Sequence, residues 1–422
     1  MRLYFPDSAG QIDWVGYNHA VALFKKALGE HLTDSPEGAD YRVYCNLPWY
    51  HKPRELKSDG LPLMVYTMYE SDRVPSRWVR FLNNHADVVV VPSEWCRWAF
   101  EKSGVTAPVH VLSLGYDDER IKKVPKTKST DEYVFMWQGV AVDPNGRKGY
   151  DIAVRAFKEL RTEDRLGPDA KLVVKVRPNE HSELEIPNLE TTLGVRYIQK
   201  DMSRGALIDL YREVDCCLNP THGEGFGLIP LEQMAMGKPV LVTDWSMPYV
   251  QRPYCIPLKY TLKRSPVHWN HLFLAIGIGG IAFNAGGLFR QFRFLPKLLS
   301  FVADGRRVVK LMPPGIAPPR IPFWKSVGAR LRNLCATLQR VTGLYHKPGR
   351  KVLTLFQENP GHDAFVDVED LKNRMEWCYK NRAAAEDVGF MAHEQVSRFW
   401  TLERMRSDFE NLSRELSKEK GQ

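Results

Sequence analysis

His222-Gly223-Glu224-Gly225-Phe226-Gly227-Leu228-Ile229-Pro230-Leu231-Glu232, running on through Gly237 and Pro239 to Thr243-Asp244, reads as a turn, a helix and a strand in succession. Glycines at 223, 225 and 227 let the backbone turn tightly and approach a ligand closely. Residues 228–236 carry a helical pattern that Gly237 ends as a C-cap, with Pro239 beyond it. The run Cys216-Cys217-Leu218-Asn219-Pro220 before the turn and residues 239–243 after the helix read as strands. Strand, glycine turn, helix and strand make a βαβ unit whose turn presents N–H groups and a helix N-terminus to an anion. Two carboxylates punctuate it, Glu224 in the turn and Glu232 just over one helical turn into the helix. On spacing alone the favoured reading is a surface glutamate and an exposed helix glutamate.

This string resembles the E-x7-E segment of retaining GT-B glycosyltransferases of the family-4 type (glycosyl transferases group 1). The resemblance implies an α/β fold of two Rossmann-like, doubly wound parallel-sheet domains facing a cleft. It also implies that Glu224 faces a donor sugar, that Gly225, Phe226, Gly227 and Leu228 face sugar and phosphate, and that Glu232 holds the ribose hydroxyls of a nucleotide. His222 has two readings, a sugar-pocket residue or a capping residue.

The N-terminal half supports the same architecture. Strands are predicted over 2–5, 41–45, 63–66, 88–91 and 109–114, with helical patterns at 76–85 and 94–103 between them. Val21, Phe24, Leu28 and Leu32 recur at helical spacing after the first strand. Such alternation gives a parallel sheet with helices on both faces, and ligands of such sheets gather at the carboxyl ends of the strands. The strings Tyr66-Thr67-Met68-Tyr69-Glu70-Ser71-Asp72 and Ala86-Asp87-Val88-Val89-Val90-Val91-Pro92-Ser93-Glu94-Trp95 extend the resemblance. It implies that this half binds the acceptor and that a loop around Gly16 reaches toward the donor phosphates. Glu70 stands near where many relatives have a histidine; it reads as an acceptor-binding acid or as a capping or paired one.

Residues 116–130, charged and poor in apolar side chains, read as a linker or a mobile surface loop. A second βαβ pattern follows: a strand over 133–137, a loop from Gly139 to Gly146, and a helix over 150–160 opened by Arg147-Lys148-Gly149. Two cations beside a helix N-terminus suit a diphosphate, because dipole and side chains act in the same direction. The resemblance makes Arg147 and Lys148 the phosphate clamp and, with Glu224, the catalytic set. Gly139 would lie at the donor, although Val140 stands where many relatives carry arginine. Strands are predicted over 172–176 and 196–198, and a helix over 207–214 capped by Ser203. Lys175 is either a donor-site or a sheet-edge lysine. Further helices are expected to begin near 366 and 400.

The expected domains are 1–120, an acceptor domain; 121–394, a donor domain; and 395–422, a C-terminal helix packing back on the first. The donor domain carries an insert at about 261–351. Between Pro257 and Lys351 there are 17 Lys and Arg residues against one acid, Asp304, within a chain of net charge +9. Residues 265–289 lack formal charge, and Val327, Leu331, Leu334, Leu338, Val341 and Leu344 form an apolar helical face. Apolar faces flanked by cations suit an anionic membrane surface, here through 265–345; the rival reading is a packed helical subdomain with a solvated basic face. Nucleic acid is the less favoured partner.

At 422 residues and 44% hydrophobic content, two globular domains are expected. The apolar start, 2–5, runs at once into Pro6-Asp7-Ser8 and does not read as a signal peptide. The seven cysteines are scattered without a C-x-x-C pair, as in a reduced, cytoplasmic protein. No cofactor and no metal site are expected; the partners are a nucleotide-sugar donor and a saccharide or lipid-linked acceptor at the inner membrane face. The alternatives are a GT-B enzyme acting on nucleic acid and a non-catalytic GT-B scaffold.

Overall fold

The computed structural model describes residues 1–6, 15–48, 56–57, 59–123, 131–139, 146–176, 193–247, 254–264 and 361–420. The first sheet holds β1 (Leu3–Tyr4), β2 (Leu32–Thr33), β3 (Tyr41–Cys45), β4 (Leu63–Tyr66), β5 (Val88–Val91) and β6 (Val109–Val111), in the order β2-β1-β3-β4-β5-β6. The second holds β7 (Tyr133–Gly139), β8 (Ala170–Val176), β9 (Val195–Gln199), β10 (Cys216–Asn219), β11 (Val240–Thr243) and β12 (Ile256–Leu258), in the order β12-β11-β10-β7-β8-β9. Every pairing in both sheets is parallel.

Parallel strands covered on both faces need apolar side chains on both, and successive residues supply them alternately. In β4 and β5, Met64, Tyr66, Val88 and Val90 join one core, while Leu63, Val65, Val89 and Val91 join the core on the opposite face. In the second sheet, Val134, Met136, Cys217 and Val240 face one way and Phe135, Trp137, Cys216 and Leu241 the other. The layers are closed by α1 (Val15–Leu28), α2 (Ser76–His85) and α3 (Glu94–Lys102) around the first sheet. Around the second lie α4 (Tyr150–Thr162), α5 (Arg204–Arg212), α6 (Leu228–Ala235), α7 (Val368–Lys380) and α8 (Arg382–Phe399). The last helix, α9 (Leu402–Lys420), packs on α1: Arg406 donates to the carbonyl of Ala27 at 2.9 Å, and the Phe409 and His31 rings lie 5.0 Å apart.

Local chemistry explains the helix ends. The Ser203 hydroxyl accepts from the N–H of Ala206, and Asp367 accepts from those of Glu369 and Asp370, each occupying orphan donors of a first turn. Among the strands of the two sheets and the helices around them, three elements were not anticipated. The edge strand β2 contains Leu32, which the helical spacing had absorbed, and β12 is three residues long. Helix α8 buries Ala385, Gly389, Ala392 and Val396, a face of small side chains with little apolar signal. Its closeness has a cause: a Cβ on Gly389 would lie 2.3 Å from the carbonyl oxygen of Gly237.

The segment expected to open the insert forms β13 (Tyr260–Arg264), paired antiparallel with β14 (His362–Val366) in the register Arg264 opposite His362. The rest of the insert, including the membrane-facing stretch 265–345, lies outside the described residues. Among the described residues no helix is long and apolar enough to cross a membrane.

Candidate active site

The glycine turn joins β10 to α6 at the carboxyl end of the second sheet. Gly227 caps α6 with φ +88°, a left-handed conformation that disfavours any residue bearing a Cβ. The loop opening α4 is sewn to this turn. Arg147 Nη1 donates to the Gly223 carbonyl at 2.8 Å, and the Arg147 carbonyl accepts from the His222 N–H at 2.7 Å and the Thr221 hydroxyl at 3.0 Å.

Glu224 therefore meets both cations. Lys148 Nζ lies 2.6 Å from its Oε1 and Arg147 Nη1 lies 3.6 Å from its Oε2, while its N–H donates to the Ser246 hydroxyl at 3.0 Å. Burial pushes the Glu224 carboxyl up, but the attraction of Lys148 and Arg147 outweighs it and holds the group below its ordinary range. Ser246, which contacts the turn, sits at φ +70°, a strained conformation of the kind that concentrates at functional sites.

Glu232 is buried on α6 and held by residues that sequence reasoning missed. Arg204, at the start of α5, grips it bidentately, and His19 Nε2 from α1 reaches it at 3.0 Å. Burial again opposes ionisation; the His19 hydrogen bond and the Arg204 charge reverse it, so the carboxyl lies below its ordinary range. Arg204 follows the Ser203 cap at the carboxyl end of β9, a position where a cation could have been flagged. His19 carried no signal, because its partner is 213 residues away.

The first lobe closes over the turn. A Cβ on Gly223 would fall 2.1 Å from the Glu70 carbonyl oxygen, and one on Gly225 would meet Met68 at 2.7 Å. Cys96 Sγ donates to the Gly225 carbonyl at 3.1 Å. The Glu70 carboxylate stands 3.7 Å from Arg147, adding a second acid to the cation pair. Glu224, Arg147, Lys148, Gly225 and Glu70 are thus brought together at one junction, and Glu232 lies on the helix that leaves it.

The remaining candidates are dispersed around it. Gly139 ends β7 against the Trp137 ring, with Lys148 next to it. Phe226 is buried in the core and Leu228 is packed partly against it. Lys175 donates to the carbonyls of Val176 at 3.0 Å and Lys200 at 2.8 Å, tying the ends of β8 and β9 together. His222 stacks on Phe365 of β14 at 4.4 Å, and its carbonyl accepts from the Ala364 N–H. Gly16 falls in the first turn of α1 rather than in a loop, because the helix begins at Val15; the loop itself, like Val140, lies outside the described residues. Asp117 is engaged by Lys26 at 2.7 Å, and no group of three or more potential metal ligands occurs among the described residues.

The Anabaena protein Alr3699/HepE, solved in complex with UDP, superposes over 98% of this chain and 100% of its own with a TM-score of 0.53 and 13% identity. Sucrose-phosphate synthase from Thermosynechococcus elongatus superposes over 94% of this chain and 77% of its own, with a TM-score of 0.51 and 14% identity. The fold is GT-B. Within this GT-B chain, residues 118–251 match the family described as Glycosyl transferases group 1, a span containing Arg147, Lys148, Glu224 and Glu232. Mannosylfructose-phosphate synthase of Agrobacterium fabrum is 28% identical over 156 residues, covering 32% of each chain. D-inositol 3-phosphate glycosyltransferase of Xylanimonas cellulosilytica is 32% identical over 150 residues, covering 32% of this chain and 34% of its own. The matched span is about a third of the length of either relative.

Proposed function

We propose that this GT-B chain is a glycosyltransferase that moves a sugar from a nucleotide-sugar donor to a saccharide or lipid-linked saccharide acceptor, with retention of configuration and without a metal. The observation carrying this reading is the pairing of Lys148 and Arg147 with Glu224 beside the N-terminus of α6, with Glu232 one turn further on. A nucleotide sugar reacts by cleavage of the bond between its anomeric carbon and the diphosphate, and the transition state accumulates charge on the leaving oxygens. Preorganised cations and backbone donors stabilise such charge far more effectively inside a cleft than in water. Lys148, Arg147 and the amides of Gly225, Phe226 and Gly227 supply them.

In this reading Glu224 engages donor sugar hydroxyls while holding the Lys148 ammonium in place, and Glu232 takes the ribose hydroxyls. The acceptor hydroxyl adds to the anomeric carbon from the face that the diphosphate leaves, and its proton passes to a diphosphate oxygen. That route requires no protein base. The UDP and glucose bound by Alr3699/HepE make UDP-sugars the first donors to try.

Raised melting temperature in a screen of nucleotides and nucleotide sugars tests the reading, since a ligand bound only by the folded chain stabilises it. If no nucleotide shifts the melt, the donor assignment fails. We place the reaction at the cytoplasmic face of an anionic membrane, on the strength of the basic and apolar sequence 265–345. Cosedimentation with anionic but not neutral vesicles, lost when 265–345 is removed, is the expected result; equal recovery with both vesicles would discard that placement.

A further inference from the structure

A line of aromatic rings leaves the junction. Trp245 lies against Gly223, whose Cβ would stand 3.0 Å from its ring, so the line begins one residue from Glu224. Trp95, from α3 of the first lobe, meets Trp245 edge to face at 5.1 Å; Trp98 follows Trp95 at 6.3 Å, and Tyr260 of β13 flanks Trp245 at 6.5 Å. Trp95, Trp245 and Tyr260 are half-buried, whereas Trp98 is 46% exposed. The rings therefore grade from the site toward solvent.

We propose that Trp245, Trp95 and Trp98 form a platform for an acceptor glycan of several sugar units, the terminal unit lying at Glu224 and the preceding units stacking outward along the rings. The proposal rests on the glycosyltransferase reading and deepens it. A pyranose has an apolar C–H face and a rim of hydroxyls, so it is matched by an aromatic face bordered by polar groups. Lys102 Nζ stands over one face of the Trp98 ring at 4.2 Å, so a sugar would stack on the opposite face, and the charged border is made by Glu94, Arg97 and Asp244, which are exposed beside the line. A lipid surface would penalise Glu94 and Asp244, and a protein interface core is depleted in charge. The strained Ser246 joins Trp245 to the Glu224 N–H, fixing the first ring relative to the site.

The test is saccharide binding to the full chain, read by ligand-observed NMR with a panel of hexose, hexosamine and uronic-acid oligomers from monosaccharide to hexasaccharide. Affinity should rise with length to the trisaccharide for at least one linkage. Trp98→Ala should weaken that oligomer about fivefold, as loss of one aromatic contact implies, and leave the monosaccharide unchanged. Phe390→Ala, which removes an equally exposed ring (49%) on α8, should have no effect. The platform is refuted if no oligomer binds more tightly than its monosaccharide, or if Trp98→Ala binds oligomers like the unsubstituted chain. Nucleotide-induced stabilisation in Trp98→Ala separates the two readings: its presence with no length effect rejects the platform alone, whereas its absence in every form with a preserved length effect rejects the transferase, and with it the acceptor assignment, leaving the rings a glycan-binding face only.

Discussion

Replacing Gly223 by alanine should cripple transfer while leaving nucleotide binding nearly intact. The added methyl would sit 2.1 Å from the Glu70 carbonyl oxygen and 3.3 Å from its carbonyl carbon. Backbone cannot rotate aside as a side chain can, so the loop after β4 and the glycine turn must part by roughly 1 Å, and a misplacement of that size costs on the order of 10²-fold in rate. The groups assigned to the nucleotide and diphosphate, Lys148 and Glu232, belong to the second lobe and should keep their ligand. Gly225→Ala is the internal comparison, since the three atoms nearest its Cβ all belong to the Met68 side chain, the first at 2.7 Å, and Met68→Ala should relieve it. Steady-state transfer combined with nucleotide titration by calorimetry reads both effects. The reasoning is refuted if Gly223→Ala transfers at the original rate, or if its loss is no larger than that of Gly225→Ala and is equally relieved by Met68→Ala.

Lys148→Ala should lower kcat by about 10²- to 10³-fold, the usual cost of deleting one preorganised donor, with the thermal melt showing an intact fold. Arg204→Ala should destabilise the chain by about 2 kcal/mol in urea titrations, less than for a fully buried pair because Arg204 is partly exposed and His19 remains on Glu232. The pH dependence follows from the depressed folded-state values of Glu224 and Glu232: their contribution is present above the unfolded glutamate range near about pH 4.3 and is lost as pH falls through the folded values. Arg204→Ala should therefore flatten the acid limb of stability against pH; an unchanged limb would contradict it. Asp72→Asn should cost about 1–2 kcal/mol and speed hydrogen exchange in β13 and β14, because Asp72 accepts from the His362 N–H at 2.7 Å and pairs with Lys102 at 3.2 Å.

What the sequence disclosed was whatever is written in short range. Val88-Val89-Val90-Val91 can only be a strand buried on both sides, and the observed strand has those limits. The glycine turn and its two acids were legible because φ, spacing and helix capping are all local. The long-range partners were not. Nothing near Glu232 points to His19, and nothing near Trp95 points to Trp245, because each of these pairs is created by two lobes meeting; Arg204 reaches Glu232 from another helix of the same lobe. Tyr260-Thr261-Leu262-Lys263-Arg264 was absorbed into a basic segment by its charge, whereas its backbone pairing depends on residues beyond 361. Helix α8 stayed hidden because close packing there is achieved by alanine and glycine, whose burial leaves almost no hydropathy signal.

The antiparallel register of β13 and β14 has an architectural consequence. Arg264 and His362 stand side by side, so the two strands that bound residues 265–360 in the sequence meet at one seam. Two adjacent antiparallel strands can be joined by a tight turn of two residues. A chain in which such a turn replaces residues 265–360 should therefore keep every strand pairing of both sheets, and loss of the fold in that deletion would contradict it.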